Sequence, residues 1–258
     1  MANTQLPEAD INFKADSHEA LFDLEAGSFW FRARNRLLLW AMETHAGEGA
    51  RRYLELGCGT GFVLSAIEQR FAAWRIVGSE ALGSGLERAR ERVTRAELLQ
   101  LDARALPYEA AFDVVGAYDV LEHIAEDEQA LQAIHRALAP GGLMVLTVPQ
   151  HPWLWGPADE YAHHVRRYTM GELEAKVVHA GFRVRRLTSF VTVLLPLMAA
   201  SRLMQKLRPR AYDPTAELKA SPWLDRLLEH LLGLEQALIR RGVRLPAGGS
   251  LLLVAEKP

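Results

Sequence analysis

Between residues 53 and 188, short apolar runs alternate with longer stretches in which apolar positions recur every three or four residues. The first pattern suits a strand buried on both faces, and the second a helix with one buried side. The alternation predicts strands at 53–56, 75–79, 97–101, 112–117, 143–148 and 182–188, with a seventh at 250–255. Helices are expected at 61–71, 84–94, 127–138 and 170–180. Strands separated by helices build a mostly parallel α/β sheet with helices on both faces.

Punctuation supports these bounds. Thr169 and Glu172 have the spacing of a capping box, and Gly181 stands where a left-handed C-cap is wanted. "LAPGG" (138–142) is expected to stop a helix before a strand, because proline cannot continue it and glycine turns the chain at little steric cost. Two regions fall outside the alternation. Residues 1–45 read as an N-terminal helical arm or lid, and an insertion at about 189–245 reads as a helical cap within a domain spanning 46–258. In that insertion Ser221 and Pro222 form a cap-plus-N1 pair. Leu224, Leu227, Leu228, Leu231, Leu234 and Leu238 then repeat at helical spacing, a stripe suited to core or to a homodimer contact.

Composition narrows the class without choosing a function. A chain of 258 residues, 49% hydrophobic and 24% charged, is an ordinary globular one. Its formal net charge of -2 argues against a dedicated nucleic-acid binder, which needs excess Lys and Arg to neutralise phosphates. Cys58 is the one cysteine, so no intramolecular disulfide forms and a reducing cytoplasm is the expected location. No secretory signal is read at the N-terminus, whose first dozen residues are expected to be mobile. "FVTVLLPLMAA" (190–200) is broken by Pro196 and too short to span a bilayer. Followed by the basic "SRLMQKLRPR", it suits a pocket cap or dimer contact better than docking on an anionic membrane.

"YLELGCGTGF" (53–62) is a strand ending in Glu55, then Gly57, Gly59 and Gly61, then a helix. Glycines at such a turn let a ligand approach the backbone closely. A dinucleotide fingerprint would need a third glycine where Phe62 stands, and a phosphate loop would end in Lys-Ser/Thr, which is absent. The segment instead resembles the first motif of the class I S-adenosylmethionine-dependent methyltransferases, matched by Glu55, Gly57, Gly59 and Gly61. The resemblance continues in order through "IVGSE" ending at Glu80, "LLQLDARALPY" with Asp102, "FDVVGAYDVLEHI" (112–124) and "LAPGGLMVLTVP" (138–149).

That resemblance implies a Rossmann-like sheet of seven strands, mostly parallel with the last antiparallel, and S-adenosylmethionine as cofactor, yielding S-adenosylhomocysteine. It implies that Glu80 accepts from ribose hydroxyls and that Asp102 lies near the adenine amine. The cofactor-binding set carried over is Glu55, Gly57, Cys58, Gly59, Gly61, Glu80, Ala81, Asp102, Ala103, Tyr118 and Asp119; Phe31 and Arg32 are added to it from the arm, where Phe29, Trp30, Phe31 and Arg32 read either as a lid that excludes water or as a helix packing its aromatics on the sheet. Cys58 reads as a small turn residue rather than a nucleophile.

"DEYAHHVRRYT" (159–169) follows the fifth strand, at the carboxyl edge of the sheet beside the cofactor crevice. A metal reading would combine His151, Asp159, His163 and His164, but adjacent residues usually point apart and there is no strong i, i+4 ligand pair, so no metal is expected. A solvated loop with paired charges is the bland alternative. Together with "FWFRARNRLL" (29–38) and "LPAGGSLLLVAEKP" (245–258), the stretch resembles a bacterial methyltransferase subgroup linked to envelope glycans or specialised metabolites. Its D-E-x-x-x-H-x-R-R-Y pattern is matched by Asp159, Glu160, His164, Arg166, Arg167 and Tyr168. The expectation is that His164 orients or deprotonates a small-molecule acceptor, with Arg167 and Tyr168 binding it and His123 a second base candidate. An arginine suits an anionic acceptor, and a lipid-linked one also fits. Methylation of oxygen on a small molecule or saccharide-type metabolite leads. N- or carboxyl-methylation, a nicotinamide-dependent oxidoreductase and a non-catalytic cofactor-binding protein remain rivals.

Overall fold

In the computed structural model, which describes residues 17–207 and 221–258, two helices precede the sheet: α1 (Ser17–Glu25) and α2 (Phe29–His45). The alternating core follows as β1 (Arg52–Leu56), α3 (Phe62–Arg70), β2 (Arg75–Glu80), α4 (Gly83–Arg92), β3 (Glu97–Gln100) and β4 (Phe112–Tyr118). It continues through α5 (Asp127–Ala137), β5 (Leu138–Pro149), α6 (Pro157–Tyr161), α7 (Met170–His179) and β6 (Arg183–Phe190). Two helices, α8 (Leu195–Leu207) and α9 (Pro222–Arg240), lead to β7 (Ser250–Glu256).

Tyr53 and Leu54 face opposite sides of β1, and that period of two sets the layers. Tyr53 joins Ile76, Val114, Val145, Leu252 and Val254 under α2, α3 and α9. Leu54 joins Val115, Met144, Leu146, Leu251 and Leu253 under α5 and α7. Strands covered on both faces cannot alternate polar with apolar, which is why they read as continuous apolar runs.

The sheet order is β3-β2-β1-β4-β5-β7-β6. The first five pair in parallel, while β7 runs antiparallel to both β5 and β6. The expected seven-stranded sheet with an antiparallel last strand is therefore observed. From β1 the chain works outward through β2 and β3, then returns to place β4 on the other side. This order reversal opens a crevice at the carboxyl ends of β1 and β4.

Some punctuation differs. "LAPGG" does follow a helix, but its first residue already pairs with Phe112, so β5 starts at Leu138 rather than at 143. Thr169 caps α7 by accepting from the Glu172 N–H, and Gly181 beyond that helix has φ +97°. Pro222 occupies the first turn of α9, but the Ser221 hydroxyl makes no capping bond. The leucine stripe is not the buried face: Leu232, Glu235, Gln236 and Ile239 turn inward, whereas Leu227, Leu234 and Leu238 are exposed. Among the described residues, no helix is long and apolar enough to cross a membrane. The first dozen residues and the basic tail from 208 to 210 lie outside the described residues.

Candidate active site

A cavity of about 750 Å³ opens at the carboxyl edge of the sheet, where the strand order reverses. One end is lined by Gly57, Gly59, Glu80 and Asp102; the other by Glu122, His123, His164, Arg167 and Arg202. Trp30, Phe31 and Arg34 of α2 border it from the N-terminal side. Arg34 pairs with Asp119 and lies 4.5 Å from the Trp30 ring centroid, so a cation–π contact fixes it over the cavity.

At the glycine end the loop after β1 is shaped by backbone conformations that only glycine adopts cheaply. Gly59 has φ +50°, and a Cβ built there would meet nothing within 4 Å, so its backbone is open to a ligand. Gly61 works from behind. With φ +78° it ends the turn, and its would-be Cβ lies 3.1 Å from Ala89 of α4, so it does not line the cavity as expected but lets two helices approach. Cys58 is buried, and burial pushes its thiol pKa up, with the charges of Glu80 and Glu55 adding to the shift. A thiol kept protonated fits a packing role.

Three of the carboxylates that line the cavity reach it by different routes. Glu80 accepts from the N–H groups of Gly59 (3.0 Å), Ala81 (2.8 Å) and Leu82 (3.1 Å), tying β2 to the glycine loop. A carboxylate has about four acceptor sites, so one remains for a ligand. Asp102 lines the cavity beside Ala103, but both oxygens are gripped by Arg104, whose Nη1 also reaches Glu126 at 3.1 Å. Burial opposes the ionisation of Asp102, yet the bonds from Arg104 hold it below the usual range. Glu55 is buried, and that burial raises its pKa to about 8 against the opposing effects of the Tyr53 hydroxyl (3.0 Å) and Arg34. Tyr118 lies beside it, its hydroxyl 3.2 Å from that of Tyr53.

At the opposite end, Asp159 organises the loop after β5. Fully buried at the start of α6, it accepts from Arg167 Nε at 2.7 Å and the Gly156 N–H at 2.9 Å, and lies 2.8 Å from His164 Nδ1. Burial opposes its charge, but His164 and Arg167 keep its pKa below the ordinary value. An ionised carboxylate only accepts, so Nδ1 of His164 donates, which in the neutral ring leaves the lone pair on Nε2. That Nε2 is 4.0 Å from Glu122 Oε1. The His123 ring crosses His164 edge to face, with centroids 4.7 Å apart. Burial drives its pKa down to about 3, helped by the charge of His164, so His123 stays neutral.

The cavity gathers His164, His123, Arg167, Phe31, Glu55, Gly57, Cys58, Gly59, Glu80, Ala81, Asp102, Ala103, Tyr118 and Asp119 from the expected set. Three do not join them. Tyr168 is fully buried away from it, its hydroxyl donating to Asp127 (2.8 Å) and the Leu121 carbonyl (3.3 Å), and so cannot bind an acceptor. Arg32 turns to α9, where Asp225 and Glu229 hold it, rather than forming a lid. Gly61 is the third. Arg167 lines the cavity, but its Nε and Nη1 are engaged by Asp159 and the Gln150 carbonyl, so it buttresses Asp159. Among the described residues, the three donors that converge are Glu122, His123 and His164 rather than the four weighed in the loop.

Sequence reasoning missed Arg34, Arg202 and Glu122 as cavity residues. Arg34 had a local signal, since Trp30 sits four positions earlier on the same helix face. Glu122 sat within "LEHI" but was passed over for its neighbour. Arg202 gave none, because only the packing of α8 beneath the residues 152–154 turn brings it in.

Residues 54–146 match a family model described as "Methyltransferase domain". A trans-aconitate 2-methyltransferase of Azoarcus sp. (strain BH72) is 28% identical over 164 residues, 64% of this chain and 58% of that protein. A demethylmenaquinone methyltransferase of Thermus thermophilus is 33% identical over 127 residues, 47% of this chain and 56% of that one. The chain spans about three fifths of the length of the first curated relatives it matches. Among solved structures, the crystal structure of the (4+2)-cyclase SpnF superposes with TM-score 0.60 at 22% identity, covering 89% of this chain and 83% of that one. Haemonchus contortus phosphoethanolamine N-methyltransferase 2, in complex with phosphomonomethylethanolamine and S-adenosylhomocysteine, follows with TM-score 0.57 at 20% identity, covering 87% and 52%. These matches span the glycine loop and the whole sheet: residues 54–146 resemble a methyltransferase domain, and the chain has the Rossmann-like fold of its S-adenosylmethionine-dependent methyltransferase neighbours.

Proposed function

We propose that the protein transfers a methyl group from S-adenosylmethionine to a small-molecule acceptor, at oxygen, with His164 acting on the acceptor's proton. The observation that carries this reading is the Asp159–His164 pair at the end of the cavity opposite the glycine loop. A buried, ionised aspartate fixes the tautomer of the imidazole and supports the charge it gains as a base.

The chain's own residues fit the cofactor. Bound S-adenosylmethionine would supply an electrophilic methyl group. The bare backbone at Gly59 would cradle it, the remaining acceptor site of Glu80 suits a ribose hydroxyl, and Glu55 suits an ammonium. Arg34, Trp30 and Phe31 cover this end and limit water, which aids a displacement in which charge disperses. At the far end His164 Nε2 removes the proton from an acceptor hydroxyl, and Arg202 at the same wall favours an acceptor with a carboxylate or phosphate. Asp159 and Arg167 act through His164 as positioning residues.

Calorimetric titration with S-adenosylmethionine, and separately with NADH, tests the cofactor assignment. Binding of the former and not the latter is expected, and a folded protein that ignores S-adenosylmethionine would sink the reading. Against a panel of small hydroxylated and carboxylated acceptors, His164→Ala is expected to lower kcat by about 10²-fold or more while leaving cofactor affinity within about twofold. Unaltered turnover would remove His164 from catalysis.

A further inference from the structure

Glu122 has no part in the proton transfer just described, yet its burial in the cavity is costly. It is completely buried, it lines the cavity, and neither of its oxygens has a hydrogen-bond partner. Burying an unpartnered carboxyl costs several kcal/mol on the order-of-magnitude scale for such groups, so an arrangement of this kind calls for something that completes it. His123 and His164 each bring one ring nitrogen to the same place, and the three donor atoms lie within 4.8 Å of one another.

We propose that Glu122, His123 and His164 bind a divalent transition cation inside the acceptor end of the cavity. This departs from the metal-free expectation drawn from the loop sequence. Two imidazoles and one carboxylate form a donor set suited to Zn²⁺, Fe²⁺, Mn²⁺ or Co²⁺, and unlike the all-oxygen sets that Ca²⁺ and Mg²⁺ prefer. Three protein ligands leave positions open toward the cavity, as in catalytic rather than structural sites.

The surroundings of the histidines supply an independent argument. Histidines that hold metals donate their other ring nitrogen to a carboxylate or a backbone carbonyl, which fixes tautomer and ring angle. His164 has this partner in Asp159, 2.8 Å from Nδ1, and His123 has a ring hydrogen bond to the Ala162 backbone. The spacing also fits. Around a tetrahedral cation with bonds of about 2.1 Å the donors sit roughly 3.4 Å apart, so a group spread over 4.8 Å, with Glu122 and His164 at 4.0 Å, closes by about an ångström through small side-chain rotations.

The cation competes with the acceptor's proton for Nε2 of His164. A loaded site therefore takes His164 out of service as a base, and the charge of the cation polarises a hydroxyl seated at its open positions instead. The proposal rests on the cavity described above but not on methyl transfer, and the two are separable.

The full-length protein is stripped with a chelator and titrated with Co²⁺ by visible absorption and with Zn²⁺ by calorimetry. One equivalent is expected, with the d–d bands of a low-coordinate Co²⁺. Glu122→Gln and His123→Ala are each expected to weaken binding at least about tenfold, while His230→Ala, on the exposed side of α9, leaves stoichiometry unchanged. Circular dichroism and S-adenosylhomocysteine binding verify that each variant is folded. No uptake by the folded wild type, or uptake unchanged in both Glu122→Gln and His123→Ala, overturns the site. S-adenosylhomocysteine binding without Co²⁺ uptake overturns the cation site alone. Co²⁺ uptake without S-adenosylhomocysteine binding sinks the methyl-transfer reading and leaves the cation site standing.

Discussion

Tyr168 shows what a motif letter can and cannot say. Its place in "HHVRRYT" was legible, and so was the position of that stretch over the cavity, because both follow from the strand count. Its direction was not, since the residue's hydroxyl is claimed by Asp127, 41 positions away, in a cluster that also holds Arg166 (2.8 Å) and Lys176 (2.9 Å). Burial and the Asp127 charge push the phenol pKa up, so it stays a donor. Arg32 was misread for the same reason, its partners Asp225 and Glu229 lying almost 200 positions away. Tyr168→Phe removes one hydrogen bond from a buried carboxylate that keeps two cationic partners. A loss of about 1–2 kcal/mol in urea unfolding is expected, with KM for the acceptor unchanged. A raised KM at unchanged stability would return Tyr168 to the binding wall.

Among the elements, strands were legible because a doubly covered sheet demands continuous apolar runs, whereas α9 was not. Its leucines suggested the buried stripe, but its inward face carries Glu235 and Gln236, whose partners lie elsewhere in the chain. Gln236 donates to the Ala33 carbonyl at 2.7 Å, and Glu235 accepts from the Val191 and Val193 N–H groups at 2.6 and 2.9 Å. The helix is thus a clamp on α2. Asp225 accepts from the Phe29 N–H at 2.8 Å, capping α2 from outside where Ser28 provides no cap, and Glu229 pairs with both Arg32 and Arg36. The bonds from Arg32, then Arg36, hold the Glu229 pKa down. Since these groups are partly exposed, Glu229→Ala is expected to cost only about 1 kcal/mol, and less in high salt. Because α2 carries Phe31 and Arg34 over the cavity, S-adenosylhomocysteine affinity is expected to fall by less than about fivefold. Thermal melts and calorimetry at two salt concentrations check both. A cost that does not change with salt would assign the effect to packing.

At the scale of the whole molecule, the sheet order puts the end of β1 where both halves of the sheet meet, and Glu55 sits buried there. An ordinary glutamate in the unfolded chain titrates near 4.5, whereas burial raises this one to about 8 in the fold. Between those values the folded protein keeps a proton that the unfolded chain releases. The group's contribution to stability is therefore fully present below pH 4.5 and is lost as pH rises through 8. The loss is on the order of a few kcal/mol, enough to lower Tm by several degrees between pH 5.5 and 8.5. Glu55→Gln should flatten that slope. A bound cofactor whose ammonium lies beside Glu55 reverses the preference by giving the carboxylate a counter-ion. Complex formation at pH 7 should then release up to about 0.9 proton per site, measurable by calorimetry in buffers of different ionisation heat. The Tm of the complex should vary less with pH than that of the free protein. No proton release, in a protein whose Tm still falls with pH, would mean that the ammonium sits elsewhere in the cavity and that another group receives it.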